Sequence, residues 1–407
     1  MSQVLNISSD RKIFEEGSAV RTRVVEYGSL FEELHIIIFS KRNFQFSIFN
    51  FQSITKVQIS KNCWVYPTNS LNRWFYIFNA IRIGKRIIEN CKLKIENSRN
   101  DFIVSSQDPF ECGFVALRLA RRFKLPLHIQ IHTDFLSPFF ASSSFLNRIR
   151  VFIASRVLPQ ANAIRVVSQR IKDSLLQTTN YKLQTVPTVL PIFTDLGKFK
   201  NAKPVFSLQE KYPQWGFIIL VVARLTAEKN VGFALRVLQE LLKKYPKVGM
   251  VIVGEGSELS HLKLKTKNYN LQTSVAFEGW QSDLISYYKT ANLFLQTSLY
   301  EGFGLSLLEA LACGCPSVSS DVGIAPELLN HKGHSFVCPV NDRECFLSKI
   351  SQLIDDNQLR TFFSTQIAPS SVNQFVQTKE SYLQNYKWNM ELGIRKPIKF
   401  VAEKFDK

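Results

Sequence analysis

The residues best suited to chemistry follow buried strands in the second half of the chain. In VVARLTAEKNVGF, a predicted strand ends at Arg224, and Lys229 follows five residues later, ahead of a helix. A guanidinium and an ammonium at one strand end can neutralise two phosphates that a cleft would desolvate. Taken alone, Arg224 would more often be a surface salt-bridge partner. The pair therefore predicts a diphosphate site only together with its neighbours.

Glycines mark the next two strand-to-helix junctions. In VIVGEGSE, Gly254 and Gly256 come directly after a strand, where glycine permits close approach to a ligand or simply makes a tight turn. Farther along, Gly302 and Gly304 bracket Phe303 in a loop that opens a helix. Unpaired backbone N–H groups and the positive end of the helix dipole point outward there, which predicts an anion site.

Two glutamates accompany this loop, Glu301 before the helix and Glu309 inside it. An ionised carboxylate only accepts hydrogen bonds and would repel a phosphate. We therefore expect each glutamate to bind hydroxyls, of a sugar in one case and of a ribose in the other. For an isolated pair of this kind, two solvated glutamates on a helix would be the common alternative.

The elements that must position these residues alternate between strand and helix in both halves of the chain. This alternation predicts an α/β protein of two tandem Rossmann-like domains, each with a parallel sheet, and places the ligand in the cleft between them. We expect a first domain over 1–195, a second domain over 196–372 and a closing helix within 373–407. The predicted strands cover 4–7, 35–39, 102–104, 127–131, 163–167, 216–224, 248–253, 274–277, 291–296 and 315–319.

The charge is unevenly distributed along the 407 residues. The net charge is +18, and residues 1–200 hold 28 Lys or Arg against 14 Asp or Glu, a surplus of 28 − 14 = +14. A basic first half suits an anionic partner such as a phospholipid headgroup, a lipid-linked phosphate or nucleic acid, although generic surface charge would look the same. No recognisable nucleic-acid-reading motif accompanies it, so we do not expect a nucleic-acid partner.

The apolar runs and the N-terminus predict where the protein is located, and the cysteine spacing predicts whether it contains disulfides or zinc. The longest apolar runs fall short of the roughly 18 to 20 residues that a membrane-spanning helix requires, and the N-terminus lacks the pattern of a secretory signal. We expect a cytoplasmic protein, at the inner face of the membrane if its basic half binds lipid. Seven scattered cysteines without CxxC spacing predict neither a disulfide framework nor a structural zinc site, and we expect Cys313 and Cys315 to serve in packing.

From 216 to about 330 the chain resembles the C-terminal domain of family 4 glycosyltransferases, which are retaining enzymes of the two-lobed GT-B fold. ARLTAEKN, VIVGEGSE, the glutamate pair and CGCPSVSSDVGIAPEL follow in that family's order and spacing. The resemblance implies that Arg224 and Lys229 contact the donor diphosphate, Glu301 holds sugar hydroxyls and Glu309 binds the ribose. It also implies that the backbone of Gly302, Phe303, Gly304 and Leu305 lines the sugar and phosphate, with the base near Val253, Gly254 and Gly279.

The resemblance implies that the domain over 196–372 binds the nucleotide-sugar and that the domain over 1–195 binds the acceptor. In this first half the resemblance is thinner. QIHTDF places His132 at a strand end, similar to the family's active-site histidine, which contacts the donor sugar. Gly17 stands where the family usually has a Gly-Gly loop that touches the donor phosphate, and PIFTD (191–195) replaces the usual Pro-Asn-Gly-Val-Asp. The segment 373–388 resembles the helix that crosses back to the first lobe in GT-B proteins.

The resulting hypothesis is a retaining transferase that moves a sugar from a UDP- or GDP-linked donor to a glycan or a lipid-linked acceptor, in cell-surface polysaccharide or glycolipid biosynthesis. No D-x-D triplet occurs in the sequence, so we expect protein cations rather than a metal to stabilise the leaving group, and no cofactor. The alternatives are a non-catalytic binding protein that retains the fold and a related GT-B epimerase or phosphorylase.

Overall fold

The computed structural model describes residues 2–42, 56–93, 102–178, 181–331 and 334–394. The chain forms two compact units, Met1–Pro191 with Glu380–Lys407, and Ile192–Lys379. The sequence placed the corresponding boundaries at 195/196 and 372/373. The end of the predicted third segment, 395–407, lies outside the described residues.

The first unit is built on an eight-stranded sheet with the order β3-β4-β2-β1-β5-β6-β7-β8. Its pairs are parallel except that the edge strand β3 runs antiparallel to β4. The strands are β1 (Gln3–Ser8), β2 (Glu33–Ile38), β3 (Val57–Ser60), β4 (Cys63–Pro67), β5 (Phe102–Ser106), β6 (Leu127–Ile131), β7 (Ala163–Val166) and β8 (Thr188–Val189). The α-helices before β8 are α1 (Ala19–Gly28), α2 (Tyr76–Leu93), α3 (Glu111–Phe123), α4 (Pro138–Ser142), α5 (Phe145–Val157) and α6 (Gln169–Gln177).

The second unit is built on a six-stranded parallel sheet with the order β11-β10-β9-β12-β13-β16. The strands are β9 (Phe217–Val222), β10 (Val248–Val253), β11 (Val275–Gly279), β12 (Leu293–Gln296), β13 (Ser317–Ser320) and β16 (Val337–Cys338), with a small antiparallel pair β14 (Asn330–His331) and β15 (His334–Ser335). The helices are α7 (Leu196–Asn201), α8 (Leu208–Lys211), α9 (Val231–Lys244), α10 (Leu259–Asn268), α11 (Leu284–Thr290), α12 (Leu305–Ala312), α13 (Ala325–Leu329), α14 (Arg343–Asp355), α15 (Asn357–Phe362), a π-helical segment (Phe363–Ile367) and α16 (Ala368–Val372).

Continuous apolar runs form the central strands because both faces of a parallel sheet are covered by helices. β1 and β10 are buried along their whole length, and β9 along all but its last residue. Helices begin where a side chain can cap them: the Ser18 hydroxyl accepts from the Arg21 N–H at the start of α1. The predicted class, two tandem Rossmann-like domains, is confirmed, and every predicted strand is present with shifts of a few residues at its ends.

The last helix, α17 (Lys379–Glu391), packs on the first unit through aromatic rings and buried hydrogen bonds. Tyr386 stacks on Tyr27 at a centroid distance of 4.0 Å, and the guanidinium of Arg165 lies 5.2 Å from the Tyr386 ring centre. The Asn389 side chain bonds the ring of His128, with Nε2 and Oδ1 2.9 Å apart. The helix thus fills the layer beside β6 and β7.

One expectation about cysteines is wrong. Cys338, at the end of β16, and Cys345, in the first turn of α14, form a disulfide with their Cα atoms 5.7 Å apart. The turn between strand and helix brings the two residues together, which residue counts alone do not show. Cys315 is buried and Cys313 is partly buried. Within the described part of the chain, every helix is too short or too polar to span a bilayer.

Candidate active site

The predicted site residues of the second unit gather at one edge of its sheet. Because all six strands are parallel, their carboxyl ends meet at the same edge. Arg224 and Lys229 follow β9, Gly254 follows β10, Gly279 ends β11 and Glu301 follows β12. Residues far apart in sequence are therefore neighbours in this unit.

The centre of the constellation is an ion pair between Lys229 and Glu301. The Lys229 Nζ donates to Glu301 Oε1 at 2.5 Å, and the two side chains are only 15% and 13% exposed. The Ser298 hydroxyl donates to the same carboxylate oxygen at 2.8 Å. The second oxygen of Glu301 is thus the one turned away from these two donors.

The loops that carry this pair are bonded to each other. The Thr297 hydroxyl donates to the carbonyls of Lys229 and Asn230 at 3.3 and 3.1 Å. The Leu299 N–H donates to the Glu228 carbonyl at 2.8 Å. These bonds fix the segment after β9 against the segment after β12, so the two charges meet in one geometry.

Arg224 stands apart from the buried pair. Its side chain is 77% exposed, and its closest carboxylate is Glu228, at 3.6 Å. Glu228 also accepts from the Thr226 hydroxyl at 2.7 Å. An exposed ion pair of this kind contributes at most about 1 kcal/mol, so the guanidinium can turn toward an arriving anion at little cost.

The glycines after β10 and β11 are required by backbone packing. Gly254 has a φ of +133°, and a Cβ built on it would lie 1.9 Å from the Ala223 carbonyl oxygen. Its N–H donates to the carbonyl of Gly279, which itself has a φ of +68°. The same crowding holds at Gly256, where a Cβ would lie 2.2 Å from the Leu225 carbonyl oxygen. A contact of Gly254, Gly279 or the buried Val253 with a base stays a prediction.

The loop before α12 combines a buried side chain with open helix donors. Phe303 is buried and packs edge-to-face on Phe375, so its side chain belongs to the core and only its backbone is available to line a site. Gly304 caps α12 with a φ of +109° and no side-chain hydrogen bond. The first N–H groups of a helix have no intrahelical partner, so those of Leu305 and its neighbour are directed at whatever lies in front of α12.

Glu309 lies one turn inside α12 and is more buried than its place on a helix predicts. Burial raises its pKa to about 7, and the Tyr288 hydroxyl, which donates to Oε2 at 3.1 Å, partly opposes the shift. Glu309 is therefore poised between its neutral and ionised forms near neutral pH. It is not one of the two solvated glutamates of the alternative interpretation.

The two predicted residues of the first unit also lie at the carboxyl edge of their sheet. His132 directly follows β6, and Gly17, with a φ of +75°, precedes the Ser18 cap of α1. Burial, together with the cations Arg165 and Arg23, lowers the pKa of His132 to about 3. The imidazole is therefore neutral at physiological pH.

Sequence reasoning missed the residues that hold these side chains in place. Ser298, three residues before Glu301, could have been read from its spacing. Tyr288 lies on α11, and only the fold brings it to Glu309. Gly323 is a third case, because a Cβ there would lie 2.2 Å from the Phe303 carbonyl oxygen, which accepts from the Ile324 N–H.

Comparison with known proteins finds a family that matches most of the second unit, which contains Arg224, Lys229 and Glu301. Residues 207–368 match the family model described as "Glycosyl transferases group 1". The matched segment lies within the second unit. The match agrees with the prediction of an enzyme of the transferase class.

Two named proteins are similar to this chain in sequence. The chain is 28% identical over 256 residues to alpha-monoglucosyldiacylglycerol synthase of Streptococcus pneumoniae, covering 60% of this chain and 57% of the synthase. It is 26% identical over 307 residues to the amylovoran biosynthesis glycosyltransferase AmsD of Erwinia amylovora, covering 73% and 77%. The chain thus spans less than two thirds of the synthase's length.

A solved structure extends the likeness to the whole fold. HepE of Anabaena, determined in complex with UDP and glucose, superposes with a TM-score of 0.70 at 17% identity, over 96% of this chain and 99% of HepE. At this identity the superposition shows the fold alone. It agrees with the predicted GT-B arrangement of two tandem Rossmann-like units.

We predict that Gly254→Ala destabilises the second unit by about 1 to 3 kcal/mol, because the new Cβ meets the Ala223 carbonyl in a backbone conformation that L residues rarely adopt. Gly216→Ala is the matched control, since its Cβ would find no heavy atom closer than 3.6 Å. Urea unfolding of both variants tests this. Equal midpoints for the two variants would contradict the account of Gly254.

Proposed function

We propose that this glycosyltransferase moves a sugar, with retention of anomeric configuration, from a UDP- or GDP-linked donor to a glycan or a lipid-linked acceptor in cell-surface polysaccharide or glycolipid biosynthesis. The observation that carries the proposal is the Lys229–Glu301 pair at the carboxyl edge of the second sheet. It offers a phosphate-binding cation and a hydroxyl-binding carboxylate side by side. UDP is the first donor nucleotide to test, because HepE was solved with UDP and glucose.

Departure of a nucleotide diphosphate leaves negative charge that the protein must stabilise. In our proposal Lys229 and Arg224 bind the two phosphates, and the N-terminal N–H groups of α12 add a third source of positive potential. Glu301 accepts hydrogen bonds from the donor-sugar hydroxyls through the oxygen turned away from Lys229. Fixed charges of this kind need no reorganisation when the bond breaks, which is why their effect on rate is large.

Retention requires either a covalent intermediate or attack by the acceptor on the same face from which the leaving group departs. We favour front-face attack, in which a diphosphate oxygen accepts the proton of the acceptor hydroxyl. No D-x-D triplet is present in the sequence to hold a metal on the diphosphate, so we infer that Arg224 and Lys229 replace one. His132, neutral at the pH of the reaction, orients the sugar by hydrogen bonding.

The acceptor and its location are inferred from surface chemistry. Along α5, four large apolar side chains are exposed: Phe145, Leu146, Ile149 and Phe152. Four more lie just before and at the start of α2: Leu71, Trp74, Phe75 and Phe78, with Trp74 90% exposed. α3 packs against both α2 and α5, so the two exposed groups lie on the same face of the first sheet.

The charges within the two segments that carry these apolar residues are all positive, although Arg150 pairs with Glu111 of the neighbouring helix α3 at 3.0 Å. Residues 145–157 contain three arginines and no acidic residue, and 71–88 contain four cations and no acidic residue. Exposed apolar groups among cations are suited to the interface of an anionic membrane. We therefore infer peripheral docking on anionic lipid, which fits a lipid-linked acceptor and agrees with the name of the S. pneumoniae relative.

Substitution of the phosphate-binding cations tests the transfer reaction. Lys229→Met and Arg224→Met should each lower the rate of sugar transfer by about 10² to 10³, because each removes a cation that stabilises the leaving diphosphate. Arg343→Met, which removes an exposed cation of the same unit, is the control. The assay measures acceptor-dependent release of nucleoside diphosphate, with and without a chelator.

The same assay separates the alternatives. Donor binding without release would support a binding protein, and release of nucleotide diphosphate that does not depend on an acceptor would support a related epimerase or phosphorylase. Loss of all turnover in the presence of chelator would contradict a reaction that depends on protein cations alone.

The titration of Glu309 makes donor affinity depend on pH. Ribose hydroxyls favour the ionised carboxylate, whereas burial holds its pKa at about 7 in the free protein. Donor binding must then release a proton below pH 7, so affinity should fall by up to about tenfold per pH unit between pH 7 and 5. Calorimetry with an intact nucleotide-sugar, whose diphosphate does not titrate in this range, measures the effect. Glu309→Gln should bind more weakly but without this slope, and an unchanged slope would refute the role of Glu309.

Vesicle co-sedimentation tests the docking surface. Phe145→Ser combined with Phe152→Ser should abolish most binding to vesicles that contain phosphatidylglycerol, because two exposed apolar contacts are lost. Leu264→Ser, at an exposed leucine of the second unit, is the matched control and should bind normally. Binding of the double variant equal to that of the unchanged protein would remove α5 from the docking surface.

A further inference from the structure

A cluster of three potential metal ligands lies in the first unit, away from the carboxyl edge of its sheet. Glu33 begins β2, His35 lies two residues along on the same side of that strand, and Cys91 belongs to the last turns of α2. Gly17 and His132 follow the opposite ends of strands in the same sheet. The cluster is therefore separate from the predicted transfer chemistry.

The three donor atoms lie close together. His35 Nε2 is 3.0 Å from Glu33 Oε2, Cys91 Sγ is 3.6 Å from His35 Nε2, and the same sulfur is 3.7 Å from Glu33 Oε2. Among the residues that the structure describes, this is the group of His, Cys, Asp and Glu side chains with the compactness of a metal site. A carboxylate, an imidazole and a thiolate are each ligands that zinc accepts.

The distances match one face of a zinc tetrahedron. With bond lengths of about 2.0 to 2.3 Å and tetrahedral angles, the ligand atoms lie about 3.3 to 3.6 Å from each other. The two distances from the sulfur agree with these values within about 0.1 Å, and the nitrogen-to-oxygen distance has to open by about 0.3 Å. Small side-chain rotations suffice, so the backbone of β2 and α2 already has the required spacing.

The surroundings of the cluster hold the imidazole in place. His35 Nδ1 lies 3.0 Å from the Tyr66 hydroxyl, and the His35 ring stacks on Trp64 at a centroid distance of 5.1 Å. A partner on the second ring nitrogen is the usual arrangement for a metal-binding histidine, because it fixes the tautomer and the ring orientation. His35 and Cys91 are buried, whereas the Glu33 side chain is 19% exposed, which leaves an entry path and room for water as a fourth ligand.

We propose that Glu33, His35 and Cys91 bind one zinc ion and that the ion links β2 to the end of α2. This role is structural and does not depend on the proposed function, because no step of sugar transfer uses these residues. The alternative is a metal-free hydrogen-bonded cluster in which Glu33 pairs with His35 and the protonated Cys91 thiol donates to Glu33. The two interpretations differ in whether the thiol ionises and bonds to a metal.

Cobalt substitution distinguishes these interpretations. The full chain, stripped of metal with a chelator, is titrated with Co²⁺, followed by absorption and by circular dichroism to verify folding. We expect one equivalent of Co²⁺ to produce the visible bands of a tetrahedral site and a thiolate-to-cobalt charge-transfer band in the near ultraviolet, both lost when Zn²⁺ is added. Absence of the charge-transfer band would overturn the proposal.

Single-residue variants test whether the charge-transfer band arises from Glu33, His35 and Cys91. Cys91→Ser should abolish it, whereas Cys112→Ser, at a buried cysteine on α3 outside the cluster, should keep it. Glu33→Gln, the mildest change because this side chain is partly exposed, should keep the band and weaken Zn²⁺ binding at least tenfold. A band that persists in folded Cys91→Ser, or Zn²⁺ affinity unchanged in Glu33→Gln, would contradict the site whether or not the protein transfers sugar.

Discussion

Two opposite charges that are largely shielded from water lie at the carboxyl edge of the second sheet. Removing Lys229 and Glu301 from water is costly unless they remain in contact, and their 2.5 Å separation meets that requirement. The pair in turn needs β9 and β12 to be adjacent in the sheet and their loops to be bonded through Thr297. In the proposed reaction, a diphosphate beside Lys229 would compete with Glu301 for the ammonium charge, so the carboxylate that stabilises the free protein would be released to accept sugar hydroxyls. Donor binding and sugar positioning would then be coupled through one ion pair.

The strand ends could be predicted from sequence because a parallel sheet has a simple rule. Apolar runs such as 217–222 and 248–253 form strands, and every strand directs its following loop to the same edge. Arg224, Lys229 and Glu301 could therefore be assigned to one edge without a structure. The burial of the pair could not, because it depends on bonds between loops about 70 residues apart in sequence. For the same reason the elevated pKa of Glu309 was not foreseen, since it arises from packing beneath α11 and not from the residues around it in α12.

Other features escaped sequence reasoning because they depend on turns and on contacts between distant segments. The glycines after β10 permit close approach, as expected, but to the backbone of the preceding loop near Ala223 and Leu225. The Cys338–Cys345 disulfide depends on a turn that aims a strand end at a helix start. The cluster of Glu33, His35 and Cys91 joins residues 56 positions apart through the crossing of α2 over the sheet. In each case the residue types were visible, and only the fold supplied their proximity.

In the first unit, the predicted transfer residue and the proposed metal site lie at opposite ends of the parallel strands. The carboxyl edge of its sheet carries His132. At the same edge, Trp74 lies just before α2 and Phe78 lies in its first turn, and both are exposed. The amino end of β2 meets the last turns of α2 at Cys91, so the proposed metal would hold one end of the helix while the other end presents apolar side chains. A metal bond at Cys91 would restrict the fraying to which helix ends are prone, and a helix held in this way keeps its exposed residues in a fixed orientation. The proposed zinc ion and the proposed lipid contact would then act on opposite ends of α2. Metal binding would make the membrane-facing surface more rigid without contacting the residues proposed to transfer the sugar.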